Sequence, residues 1–102
     1  MFGKRRPTQE LDPPPIATGN PQAVEILRVW AAPNSPQQLV LRMAWKDPGA
    51  WGLVLVDVAR HAAQAYKREG RDPAEVLLRI RTLFDAEWSS PTDDPKDITD
   101  GA

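Results

Sequence analysis

The stretch Asp47-Pro48-Gly49-Ala50-Trp51-Gly52, running straight into residues 53–66, decides how this chain is read. Asp47 can accept from free backbone N–H groups of a first helical turn, and Pro48 at the first helical position loses no hydrogen bond. The pattern predicts an amphipathic helix over 48–69, closed by Lys67 and Arg68 at its negative end and by Gly70 just beyond. Trp51, Leu55, Val58, Ala62, Ala65 and Tyr66 recur at helical spacing as its core stripe. Leu53 and Val56 fall on the opposite side, so its first turns are apolar nearly all round.

Working outward, Asp72-Pro73-Ala74-Glu75 opens a second helix, with Asp72 as N-cap and Glu75 in the reciprocal capping position. Val76, Leu77, Ile80, Leu83, Phe84 and Trp88 follow at helical spacing, and Pro91 bounds the helix. Upstream, 23–31 and 38–45 are rich in Val, Ile, Leu and Trp and read as strands joined by Pro33-Asn34-Ser35-Pro36. Pairing Ala31 with Gln38 places those four residues in the loop between the strands. Val24, Ile26, Trp30, Leu39, Leu41, Met43 and Trp45 then share one face, with Leu27, Val29 and Val40 on the other. A slip of one residue would place Arg28 with Arg42 and set Glu25 among apolar groups, so the first register is the expectation. The fold class is α+β: a β-hairpin packed on two α-helices in the order β-β-α-α. Residues 1–21 read as a proline-rich flexible segment, 22–88 as the single domain and 89–102 as a disordered acidic tail.

Composition narrows the function classes. The chain has 102 residues, enough for one small core, and a net charge of −1 that argues against a global attraction to nucleic acid or anionic membrane. With no cysteine there is no disulfide, thiolate metal site or cysteine nucleophile, which fits a cytoplasmic location. The basic start at Lys4, Arg5 and Arg6 is followed by no apolar run, so it reads as a solvated terminus rather than a secretory signal. No segment reaches the ~20 apolar residues of a membrane span.

Three motifs carry a resemblance. They are Glu25-Ile26-Leu27-Arg28-Val29-Trp30; the long run Asp47-Pro48-x-x-Trp51-Gly52-x-x-Leu55-x-Asp57-x-x-Arg60-His61-x-Ala63-x-Ala65-Tyr66; and Phe84-Asp85-Ala86-Glu87-Trp88. Together they resemble a small bacterial family of domains of unknown function, found mainly in alphaproteobacteria, over roughly residues 10–93. The resemblance implies one intact domain of bacterial cytoplasmic origin. It implies no activity and carries no residue role across. The Lys-Arg-Arg start and the Asp-rich end lie outside the family pattern.

Chemistry is sparse. Asp57 and His61 stand one helical turn apart, where a carboxylate could orient an imidazole for acid–base work. The same spacing also makes an ordinary hydrogen bond on a helix flank, and no motif places a nucleophile beside them. Two ligands do not make a metal site, and no metal or cofactor is expected. Glu87 falls in the apolar arc of the second helix near its negative end, which calls for a cationic partner. Arg28 is the first candidate, with His61 and Arg60 behind it. Arg28, Asp57, His61 and Glu87 are thus the candidate ligand-binding residues. Trp30, Trp45 and Trp51 read as core, or alternatively as one aromatic wall. Arg71, Arg79 and Arg81 read as a solvated basic face.

A lone hairpin is marginal and has two open edges, and Leu27, Val29, Val40, Leu53 and Val56 are surplus to one core. The expectation is a self-associating interaction module, most simply a homodimer, acting on a protein or small-molecule partner. The alternatives are a minor enzyme using Asp57 and His61, and a weak nucleic-acid binder using the arginines.

Overall fold

The computed structural model describes residues 9–92 and 95–99. After a proline-led turn, α1 (Ile16–Gly19), come β1 (Leu27–Trp30), β2 (Gln38–Leu41), α2 (Gly49–Lys67), α3 (Pro73–Ser89) and β3 (Lys96–Asp97). The β-β-α-α order and the α+β class are as the sequence indicates.

β1 and β2 are antiparallel, pairing Leu27 with Leu41, Arg28 with Val40, Val29 with Leu39 and Trp30 with Gln38. This is the register set aside above, one residue away from pairing Ala31 with Gln38. The connection becomes the longer segment 31–37, with Asn34 at φ 61°, a left-handed backbone that asparagine tolerates better than most residues. Two aliphatic pairs, Leu27 with Leu41 and Val29 with Leu39, now share one face. The argument against this register was that it misplaces Arg28 and Glu25. Those two side chains instead pair with each other on an exposed surface, so the slip has no desolvation cost.

β3 is an addition that composition did not reveal. It runs parallel to β2, with the Lys96 N–H donating to the Gln37 carbonyl at 2.8 Å and the Ile98 N–H to the Leu39 carbonyl at 3.0 Å. The Thr99 hydroxyl accepts from the Leu41 N–H at 3.0 Å. β2 is therefore the central strand, and one of the hairpin's two open edges is covered. The signal is two residues long in a segment without periodicity, too short to read.

The helix ends follow local chemistry. Asp47 Oδ1 accepts from the Gly49 N–H at 2.8 Å, and α2 starts one residue later than expected, with Pro48 as its N-cap. A side chain at Gly49 would come within 3.1 Å of that carboxylate oxygen. Gly70 closes α2 at φ 90°, donating its N–H to the Lys67 carbonyl at 2.9 Å, and the Arg71 N–H reaches the Tyr66 carbonyl at 3.1 Å. Gly70→Ala is expected to lower stability by about 1–2 kcal/mol, because a Cβ in the left-handed region is strained even in open space. A urea melt checks this: the midpoint should fall at unchanged slope. Asp72 then caps α3, accepting from the Ala74 N–H at 3.0 Å, with Pro73 in the first turn.

α2 and α3 form a helical hairpin whose contact is short. Among the described residues Ala63 (1% exposed) and Val76 (4%) are the two buried apolar ones, flanked by half-buried Ala59, Ala62, Leu77 and Ile80. The expected core stripe of α2 is not what α3 covers. Trp51 and Ala62 are half-buried, but Leu55, Val58, Ala65 and Tyr66 are exposed. The reason is the placement of the sheet. No Cα of β1, β2 or β3 lies within 8 Å of a Cα of α2 or α3, so the sheet backbone stays clear of the helix backbones. Sheet and helical pair are two lobes joined by residues 42–48. The radius of gyration is 16.1 Å, where a compact chain of this length has roughly 13 Å.

Candidate functional site

Each lobe carries part of the predicted cluster. On the sheet lobe, Arg28 projects from β1 beside Glu25, donating from Nη2 to Oε1 at 2.6 Å and from Nε to Oε2 at 3.3 Å. Glu10 stands 3.9 Å from the same guanidinium and ties the N-terminal segment to β1. The hydrogen bond to Glu25, then its charge, hold the Arg28 guanidinium above its ordinary pKa, with a smaller push from Glu10. Arg42 reaches the same corner, its Nε donating to the Glu25 carbonyl at 3.2 Å. This cluster was partly legible, since Glu25 and Arg28 are three residues apart. The role of Glu10 was not, because it depends on a bend across 16–26.

The other three candidates sit on the helical lobe. Asp57 and His61 are both exposed on α2, and among the described residues no hydrogen bond or ion pair joins them. Glu87 lies near the end of α3, where its carboxylate accepts from the Thr92 N–H at 2.9 Å and from the Thr92 hydroxyl. The bond expected between Glu87 and Arg28 is therefore replaced. Glu87 ties down the chain leaving α3, a C-terminal counterpart to the Asp72 cap. Because its surroundings are exposed, the carboxylate has no buried charge to offset. Arg28 and Glu87 belong to different lobes, so the four residues do not converge.

The aromatic groups divide likewise. Trp45 and Trp51 meet edge to face, ring centres 5.5 Å apart, and brace the 42–48 linker against the start of α2. Trp88 stacks on Phe84 at 5.5 Å on the exposed end of α3. Of the arginine face, Arg81 Nε pairs with Asp85 Oδ1 at 2.9 Å and Arg71 lies over the Tyr66 ring at 5.1 Å. Two of the three are thus engaged within the helical lobe.

A concavity of about 1020 Å³ lies between the N-terminal segment and β1, lined among others by Leu11, Ile16, Val24, Trp30, Glu10 and Arg28. Among the described residues no three of His, Cys, Asp and Glu are grouped to hold a metal ion. What stands out instead is apolar surface: Leu55, Val58, Tyr66, Phe84 and Trp88 on the helices, and Val29 and Trp30 on the sheet, are all exposed.

The model of the family Domain of unknown function (DUF5076) matches residues 10–92. The chain belongs to that family. No curated protein matches the chain. A solved structure from the photosynthetic bacterium Rhodopseudomonas palustrus CGA009, described as a "putative pyruvate dehydrogenase", is 37% identical to it. That likeness covers 92% of this chain and 96% of the other, with a TM-score of 0.70. The motifs around Arg28, Asp57–His61 and Glu87 all lie inside the family span, yet the span brings no assigned role to any of them.

Proposed function

We propose that this DUF5076 chain is a small self-associating interaction module whose working core is completed between copies. One observation carries the reading: among the described residues, only Ala63 and Val76 of a large apolar set are buried. Surfaces this apolar on an isolated chain mark contact sites or aggregation hazards, and covering them by self-association is the economical resolution.

The alternatives draw less support. Asp57 and His61 stand exposed and unjoined, short of the oriented pair that acid–base chemistry uses. The arginine face is largely spent on Asp85 and Tyr66. The dehydrogenase description belongs to the Rhodopseudomonas protein, and among the described residues of this chain no converging set argues for bringing it here. Among the described residues no helix is long and apolar enough to cross a membrane. A cytoplasmic location is part of the proposal, motivated by the absence of cysteine.

Sedimentation equilibrium at micromolar concentration tests the reading. The expected mass is a multiple of 11.4 kDa, with a melting temperature that rises with protein concentration because association and folding are linked. A monomer with a cooperative, concentration-independent melt would refute it.

A further inference from the structure

Both sides of β2 carry backbone partners, and the two sides differ in kind. On the inner side the Arg42 N–H donates to the Ile26 carbonyl at 2.9 Å, so by alternation residues 38, 40 and 42 turn their backbone groups toward β1. Residues 37, 39 and 41 turn theirs outward, and residues 96–99 take that outer row. The Lys96 N–H donates to the Gln37 carbonyl at 2.8 Å and the Ile98 N–H to the Leu39 carbonyl at 3.0 Å. The Leu41 N–H donates to the Thr99 hydroxyl at 3.0 Å. The occupant thus displays what this edge selects: an extended segment parallel to β2, with N–H groups at its first and third positions and a hydroxyl acceptor at its fourth.

This occupant is lightly held. Its ladder is two residues long, and a hydrogen bond of this kind shifts an equilibrium in water by only roughly 2- to 10-fold. Lys96 is exposed and Ile98 is 49% exposed, so little side-chain burial adds to the ladder. The family span ends at residue 92, so β2 belongs to the matched domain while the segment over its edge lies beyond it. β2 itself, Gln38-Leu39-Val40-Leu41, carries none of the lysine, proline or bulge by which open edges are blunted.

We propose that the outer edge of β2 is a strand-addition site for an extended peptide ending in threonine or serine at its fourth position, with residues other than proline at its first and third. Residues 96–99 are its built-in competitor. The peptide adds parallel to β2 as they do, its backbone supplying affinity and its hydroxyl selectivity. A partner binds only the fraction of chains whose strap has lifted, and the strap lowers the apparent affinity by that fraction. The Glu87 carboxylate holds the Thr92 N–H at 2.9 Å, so the strap lifts without unwinding α3. The site is a property of one chain and holds whether or not the chain self-associates.

The test uses the full chain labelled with ¹⁵N and the end-blocked peptide Pro95-Lys96-Asp97-Ile98-Thr99, titrated to millimolar concentration. Ile98→Pro removes the N–H that reaches Leu39, and Thr99→Val removes the acceptor for Leu41 while keeping the side-chain shape. The Leu39 and Leu41 amide signals are expected to move in both variants, and the added peptide to return them toward their parent positions. Its apparent Kd should be at least about tenfold lower for Ile98→Pro than for the parent chain. The peptide carrying either substitution itself should bind at least about fivefold more weakly. Unmoved Leu39 and Leu41 amides in both variants overturn the proposal, as does equal affinity of parent and opened chains. Peptide-induced shifts at Leu27 and Val29, on the far edge of β1, overturn it too. So does an opened edge that pairs with a second copy, seen as shifts that follow protein concentration and that the peptide does not reverse.

Discussion

Val58→Asp is expected to sediment as a monomer at concentrations where the parent chain sediments as an assembly. In the isolated chain Val58 is 55% exposed, at the middle of the α2 stripe, and valine and aspartate have similar helix propensity. A substitution at such a place normally changes stability by less than about 0.5 kcal/mol. If the stripe is an interface, the same change buries a carboxylate against aliphatic side chains. A two-fold assembly contains the substitution twice. At about 2–3 kcal/mol for each buried site, the two together weaken association by ~10³- to 10⁴-fold. Leu78→Asp is the matched control. Leu78 is 68% exposed and lies on α3 well away from the Val76 contact, an isolated apolar group of the kind that needs no covering. It should leave the assembly intact. Equal effects of the two changes would show that the α2 stripe is ordinary surface, and the module reading would lose its main support.

How much of this was legible in the sequence depends on the range of the interaction. The caps at Asp47 and Asp72 and the Gly70 stop are chemistry between residues two to four apart, and they place the helices to within a residue or two. Strand and helix identity follows from periodicity, which is also local. The register is different. Choosing between Ala31 and Trp30 as the partner of Gln38 requires knowing what covers each sheet face, and that depends on contacts distant in sequence. Charge placement misleads there, since Arg28 satisfies itself with Glu25 and has no need of a buried partner. The same gap explains Glu87. Its position in the apolar arc demands a buried cation only if α3 is buried to its end, and the end of α3 is open, where the carboxylate holds a backbone N–H and the hydroxyl of Thr92. The surplus of apolar residues, by contrast, was visible from composition and spacing, because a residue count does not depend on where the lobes sit.

Ala63→Glu is expected to abolish the cooperative melt or lower its midpoint by about 15–30 °C, the shift that corresponds to ~3–5 kcal/mol in a domain of this size. Ala63 is 1% exposed, held against α3 where Val76 is 4% exposed, and these are the closest-packed points of the helical pair. A glutamate there must strand a carboxylate in a closed apolar site or push the helices apart, and either costs a large share of a marginal stability. The diagnostic comparison is Ala63→Leu. Leucine has nearly the helix propensity of alanine, so on an open helix face it would be neutral. In a filled site its extra atoms overpack the contact and cost about 1–3 kcal/mol. Ala63→Gly, which adds no volume, loses about 1 kcal/mol through the backbone alone. The expected order of melting temperatures is therefore parent, then glycine, then leucine, then glutamate. If leucine matched the parent, α2 and α3 would have to be splayed at Ala63. The helical pair would then lack the filled contact that holds α2 and α3 together.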